Sequence, residues 1–311
     1  MISRVALTVK DLARSIGFYE KVLNFKRIGN YTLEPSIVDP LFGVPEGAKP
    51  SSVVIAVLSL GQESIELLEF QNSASSEEIP TDSASNDLWF QHLAIVVADM
   101  DTAIEHLAMF EVEPISPAPQ TLPGYLEAAG ITAFYFKDPD GHALELIHFP
   151  KDKIDPKWKN KSGVFLGIDH TAIAIDDTAH SQSFYEKLGM NRDSQTENYG
   201  PEQEKLNQVK DAKLLVTAMK FEKGPGIEFL EFENPDNGRA YPADARPNDL
   251  FHWHTVIETE NLPELRDKLS QEKVRFISKT TTRIELDGPD TYYAFLVRDP
   301  DGHAVMLRSK S

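Results

Sequence analysis

The side chains able to do chemistry here are histidines and carboxylates. The chain has no cysteine. Disulfides, thiolate nucleophiles, Cys-ligated zinc and iron–sulfur clusters are therefore excluded together, and any metal must sit on His, Asp or Glu. Two segments concentrate such residues, and both occur twice. Asp138-Pro139-Asp140-Gly141-His142-Ala143 recurs as Asp299-Pro300-Asp301-Gly302-His303-Ala304, and Ile65-Glu66 before Leu68-Glu69-Phe70 recurs as Ile227-Glu228 before Leu230-Glu231-Phe232. The first pair has a structural explanation. Pro fixes one turn position, Gly supplies a positive φ, and Asp closes an Asx-type bond, so each is expected to join two strands with His142 and His303 exposed. No phosphate-cradling glycine loop, nucleophile elbow or Walker sequence is present.

Stepping outward, Phe18-Tyr19-Glu20-Lys21 also recurs, as Phe184-Tyr185-Glu186-Lys187, and Asn86-Asp87-Leu88 as Asn248-Asp249-Leu250. The repeat offsets run from 161 to 166 residues. Two tandem modules are expected, 1–150 and 164–311, joined by a Lys-, Asp- and Pro-rich linker at 151–163. Each module divides again into two units of order β-α-β-β-β, with an amphipathic helix at 12–23 in the first and 100–110 in the second. Phe18-Tyr19 and Phe184-Tyr185 lie on such helices and read as core packing. Four units that mix strands with one helix each imply α+β architecture with cupped mixed sheets and helices outside.

Composition narrows the partners. With 31 Lys plus Arg against 49 Asp plus Glu, the net charge is −18. Such acidity argues against non-specific nucleic-acid binding and against docking on anionic lipid. No apolar run approaches a membrane span, and the N-terminus reads directly as a strand, so a cytoplasmic protein acting on a small molecule is expected.

Two features resemble the vicinal oxygen chelate superfamily, which includes glyoxalase I, methylmalonyl-CoA epimerase, extradiol dioxygenases and fosfomycin or bleomycin resistance proteins. One is Val5–Leu12 leading to Phe18-Tyr19. The other is Phe136–His142 leading to Glu145. Both recur in the second module, so the resemblance covers nearly the whole chain. It implies tandem βαβββ units cupped around a divalent ion, with ligands from the first and last strands of each unit. Carried over residue by residue, the first strands offer Arg4, His92, His170 and His254, and the last strands Glu66, Glu145, Glu228 and Met306. Arg4 cannot bind a cation and Met306 suits a hard metal poorly. Strand alternation sets Glu66 against Glu69 and Glu145 against His148, so one of each pair faces a cleft. His252 shares a face with His254 and is its rival.

The pairing of units remains open in the sequence. Consecutive pairing gives Glu66, His92 and Glu145 with Arg4 intruding, and His170, Glu228 and His254 with Met306. Crosswise pairing, as in some monomeric glyoxalases of the superfamily, gives a complete His92, Glu145, His170 and Glu228 set and a dead site holding both departures. The resemblance implies three possible activities. The first is a glyoxalase-like lyase or isomerase passing through an enediolate-type intermediate, with Glu145 and Glu228 as catalytic carboxylates and Ni, Zn, Co or Mn as cofactor. The second is extradiol ring cleavage with Fe(II). The third is sequestration without chemistry. Phe134-Tyr135 and Asp138–Gly141 before Glu145 match part of the extradiol pattern, but no His stands at Leu126, Glu127 or Ala128, and Leu296 and Met306 break it in module two. The first reading is preferred. Two modules in one chain can imitate a dimer of single-module relatives, so a monomer or a homodimer is expected. The segments 35–47 and 199–204, the latter leading into a helix-like run at 205–209, differ most between modules and are expected to carry specificity. Pro114–Pro123 is expected to be an extended loop.

Overall fold

The structure is a computed structural model that describes residues 1–44, 51–72, 76–285 and 291–311. The first unit holds β1 (Ile2–Thr8), α1 (Leu12–Lys21), β2 (Lys26–Leu33), α2 (Pro35–Leu41), β3 (Ser52–Leu60) and β4 (Glu63–Gln71). The second holds β5 (Gln91–Val97), α3 (Met100–Leu107), β6 (Glu113–Pro114), β7 (Gln120–Thr121), β8 (Thr132–Lys137) and β9 (Ala143–His148). The third holds β10 (Phe165–Ile175), α4 (Thr178–Lys187), β11 (Asn191–Tyr199), α5 (Pro201–Asn207), β12 (Lys213–Lys220) and β13 (Gly226–Asn234). The fourth holds β14 (Trp253–Glu258), α6 (Leu262–Gln271), β15 (Thr282–Glu285), β16 (Thr291–Arg298) and β17 (Ala304–Lys310). The architecture is α+β. Among the described residues no helix is long and apolar enough to cross a membrane.

In every unit the first strand stops at an Asp or Asn that starts the helix. Asp11, Asp99, Asp177 and Asn261 each accept the backbone N–H three residues on, satisfying a donor that has no partner within the helix. Two of these helix starts gain a second carboxylate from a strand. Glu69 accepts from the Leu12 N–H at 2.9 Å, and Glu231 from the Thr178 N–H at 3.0 Å.

Units pair crosswise. One sheet runs β15-β16-β17-β14-β1-β4-β3-β2, joining units four and one; the other runs β11-β12-β13-β10-β5-β9-β8-β6, joining units three and two. Each centre is an antiparallel pair of first strands, β1 with β14 and β5 with β10. The two largest apolar cores follow a different partition. One gathers Leu7, Leu58, Leu93 and Phe136 from units one and two, and another gathers Ile173, Phe229, Phe295 and Leu307 from units three and four. Two further clusters join units across the halves, one holding Ala6, Val256 and Met306 and the other Phe90, Ala172 and Leu230, so both backbone hydrogen bonds and apolar packing hold the halves together.

The two recurrent motifs meet in space. Tyr19 donates its hydroxyl to Asp138 at 3.2 Å, and Tyr185 to Asp299 at 3.0 Å. The same turns take Ser15 onto Asp140 and Ser181 onto Asp301. His142 and His303, expected to be exposed, are buried. The ring Nε2 of His142 lies 2.7 Å from the Leu250 carbonyl, and that of His303 lies 2.8 Å from the Ala174 carbonyl. Each ring leaves its own unit to satisfy a backbone group elsewhere, which single-strand periodicity cannot reveal. The stretch 151–163 also does more than connect. Trp158 is buried against Ala94, Val96, Ile147 and Leu166, and a side chain at Gly167 would collide with its ring.

The differing segments are helical. α5 starts at Pro201, ahead of the 205–209 run, because Pro suits the first helical position and Glu202 and Glu204 favour the first turn. Its counterpart α2 also opens on a proline, and residues 45–50 after it lie outside the described residues. The 114–123 stretch forms only the two-residue strands β6 and β7, in keeping with prolines that cannot donate to a ladder.

Candidate metal centre

The centre of the β5–β10 sheet is a small lattice of side chains. Antiparallel register sets His92 opposite Ala172 and Ala94 opposite His170. Parallel register sets Ala94 beside Glu145 and Ala172 beside Glu228. Partners across a ladder share a face, as do residues two apart on one strand. All four functional side chains therefore rise from one surface, and the two alanines leave the room they occupy. His92, Glu145 and His170 are almost fully buried. Their ligating atoms lie within 4.8 Å of one another.

The geometry fits a shared ion. His92 Nε2 lies 3.2 Å and His170 Nε2 3.4 Å from the same oxygen of Glu145, and His170 Nε2 lies 3.3 Å from Glu228. Donors at metal distances of about 2.1 Å are separated by roughly 3.0–3.4 Å along octahedral or tetrahedral edges. Yet neither ring nitrogen of His92, nor Nε2 of His170, makes a well-aligned hydrogen bond within the protein. Buried polar atoms without partners are costly, and the two Nε2 atoms converge on one oxygen of Glu145. His170 is oriented from behind, its Nδ1 lying 3.1 Å from Asp169. A carboxylate there fixes the ring and raises its basicity as a ligand. Asp169 reaches its own neighbour because the β5–β10 register slips between Ile168 and His170.

The two carboxylates differ in environment. Burial alone would raise Glu145, but the close approach of the His170 and His92 rings and their charge outweigh it and hold the group at about 2. Burial raises Glu228, and the negative Glu145 and Asp169 add to the rise while His170 offsets part of it. Burial opposes the charge on His170, but Glu228, Asp169 and Glu145 together lift it well above the ordinary histidine range. The Glu228 side chain is 28% exposed against 6% for Glu145. It faces a cavity of about 280 Å³.

The equivalent lattice in the other sheet is filled differently. Ala6 lies between His254 and Glu66, and Val256 between Arg4 and Met306. Arg4 forms an ion pair with Glu66, and the Tyr31 hydroxyl donates to the same carboxylate oxygen at 3.0 Å. Burial would raise Glu66, but Arg4 and Arg308 hold it below its usual value. His254 is held at about 4 by burial, with Glu66 opposing. The space left is only about 10 Å³, too little for more than a single water. His252 packs against His254, ring centroids 5.6 Å apart, and both rings lack partners. So Glu66 and His254, taken from the sequence as possible ligands, do not join the other four.

Over residues 1–146 and 167–307 the chain matches the sequence model of the Glyoxalase/Bleomycin resistance protein/Dioxygenase superfamily. The chain belongs to this superfamily. It is 31% identical over 151 residues to a 2-epi-5-epi-valiolone epimerase from Actinomyces sp, covering 48% of this chain and 79% of the relative. It is 24% identical over 192 residues to a lactoylglutathione lyase from Schizosaccharomyces pombe, covering 61% of this chain and 59% of the relative. Glyoxalase I from Zea mays shares the fold, with a TM-score of 0.64 at 17% identity over 99% of this chain and 92% of the other. A putative dioxygenase from Bacillus subtilis shares it at a TM-score of 0.56 and 11% identity, over 99% and 84%.

Within this superfamily fold the remaining sequence expectations find their places. Glu69 and Glu231 point away from the cups and cap helices. Two further residues border the cluster, Asp169, which sequence reasoning passed over, and Tyr135, which it named only as part of the extradiol pattern. Asp169 braces His170, and the buried Tyr135 ring lies 4.9 Å from the His92 ring. An acid adjacent to a strand histidine was the available signal for the first. Two larger clefts, about 570 and 590 Å³, sit by the Asp-Pro-Asp-Gly-His turns, away from the metal-type cluster. In the first, Lys10, Arg14 and Lys137 are paired with Glu78, Asp140 and Glu113.

Proposed function

We propose that the chain is a divalent-metal-dependent lyase or isomerase of glyoxalase type, with His92, Glu145 and His170 as fixed ligands and Glu228 as the carboxylate that moves the proton. The observation that carries this reading is the convergence on one carboxylate oxygen of the Nε2 atoms of two buried imidazoles, neither with an aligned hydrogen-bond partner among the described residues. The kinship with an epimerase and a lyase supports the same chemistry. When bound, a divalent ion supplies positive charge toward a substrate oxygen beside the carbon that loses its proton. The donor set of nitrogen and oxygen suits Zn, Ni, Co or Mn.

Glu145 is closed in by both histidines and serves as an anchor. Glu228 is the more exposed carboxylate and the one whose environment favours taking a proton. The C–H bond next to the substrate carbonyl breaks, its electron pair shifts toward the carbonyl oxygen, and the proton passes to Glu228. Return of that proton to the adjacent carbon gives an isomer, and delivery of a proton from water to the opposite face of the same carbon gives an epimer. Asp169 keeps His170 in the tautomer that leaves Nε2 free toward the centre. Modules 1–150 and 164–311, joined by 151–163, supply two of the four side chains each, so a monomer suffices for a complete site.

The test is metal content together with solvent-proton exchange. His92→Ala and His170→Ala should each empty the same site. Glu228→Gln should retain metal and lose exchange by on the order of 100-fold. Turnover that survives chelation, or a protein that takes up no divalent ion, would sink the reading. Ligand binding without turnover would leave a small-molecule binding protein instead.

A further inference from the structure

The cavity that meets Glu145, His170 and Glu228 is acidic around its walls. Glu127, Asp155, Asp169 and Asp193 line it beside the two carboxylates of the cluster. Two lysines line it as well, and both are engaged. Lys220 donates to Asp193 at 2.9 Å, and Lys153 donates to the carbonyls of Glu127 and Ala129. An anionic substrate entering this space would meet a majority of like charge, with Lys220 held in an ion pair and the donors of Lys153, which has no carboxylate partner among the described residues, taken by two backbone carbonyls. Leaving a buried carboxylate without a partner is costly.

One wall has another character. Ser194, Thr196 and Asn198 alternate along β11, so their side chains share the face that lines the cavity. Gln203 from α5 stands over the same space, only 3% exposed. Its amide nitrogen is taken by Asn207, while its Oε1 has no hydrogen-bond partner. A buried amide oxygen left open calls for a donor, and a hydroxyl-bearing ligand could supply one while also meeting the row of hydroxyl and amide groups beside it. At about 280 Å³ the cavity lies at the lower limit of ligand pockets, typically about 300–1,000 Å³.

We infer that the site takes a small, uncharged polyhydroxy ketone and discriminates against anionic thiol conjugates, with Gln203 accepting a substrate hydroxyl. This rests on the proton-transfer reading above and adds the substrate class. The reacting carbon lies toward Glu228, and the hydroxyls remote from it lie along β11 and α5. The acidic wall acts as a filter by charge, and the polar row selects by hydrogen-bond count.

The test uses full-length protein loaded with manganese. The probes are a pentahydroxycyclohexanone and the hemithioacetal of methylglyoxal with glutathione, read by NMR exchange in D₂O and by calorimetric binding. The ketone should bind and exchange, with kcat/KM at least about 100-fold above the hemithioacetal. Gln203→Leu should weaken ketone binding about tenfold with metal content unchanged, and Thr196→Val serves if that variant does not fold. Asp193→Asn should release Lys220 and raise kcat/KM for the hemithioacetal. The inference is overturned if the hemithioacetal is the better substrate, if the ketone does not bind, or if the Gln203 and Thr196 variants bind it like the parent. A protein that holds metal but prefers the hemithioacetal keeps the function proposed above and loses only the substrate class. One that holds no metal loses both.

Discussion

At the scale of single residues, the cluster is shaped by neighbours outside it. Ala94 and Ala172 provide space, and Asp169 turns His170. Asp169→Asn should therefore keep all four donors and still lower metal affinity by roughly 10–100-fold, measured by competition with a chelator. His303 illustrates a different use of histidine. Burial holds it at about 4, with the Ala174 carbonyl and Asp301 opposing. Its folded value lies below that of the unfolded chain. Its stabilising contribution is thus complete above about pH 6.5 and is lost as pH falls toward 4. His303→Gln should flatten the acid limb of a stability profile across that window. No change in the limb would mean that other groups set it. The cup residues were legible in the sequence because the resemblance assigns ligand positions to first and last strands, which puts His92 and His170 on first strands and Glu145 and Glu228 on last strands. Asp169 was not, because alternation predicts that neighbours point apart, and only the register slip beside it lets the carboxylate return.

At the scale of elements, the strands that hold the site also hold the helices. Glu228 faces the cavity, while Glu231 on the same strand caps α4. Glu231→Ala should cost about 1 kcal/mol in chemical denaturation and leave metal content intact. Loss of metal in that variant would mean that the two faces of β13 are not independent. First strands, helices and last strands were legible because each carries a period or a cap. Second strands were not, because their burial is set by neighbours in the sheet: β2 and β11 are regular, while the equivalent stretch of unit two yields only β6 and β7. The linker stretch hid Trp158, since a lone aromatic among lysines carries no period.

At the scale of the whole molecule, the repeated units form two cups, and among the described residues one of them gathers His92, Glu145 and His170 with Glu228 beside them. In the other, the Arg4 guanidinium already provides positive charge to Glu66, and Met306 stands where a carboxylate would. Metal analysis should give one ion per chain. Arg4→His combined with Met306→Glu should move that number toward two, since His254 and Glu66 are in place and two donors return. A parent protein with two ions per chain, or a double variant that stays at one, would contradict this account of the second cup.

The crossed pairing of units has one more consequence, and it is optical. The chain has three tryptophans. Each sits on a seam: Trp89 lies under Arg239 of the other half at 4.6 Å, Trp253 meets the His142 ring at 5.1 Å, and Trp158 packs over Gly167 where β10 begins. All three are buried. The intrinsic emission of this protein is therefore a gauge of how closely its halves are joined. Any loosening of the seams should redden and dim that light before the helices melt, giving a direct readout of assembly without a dye.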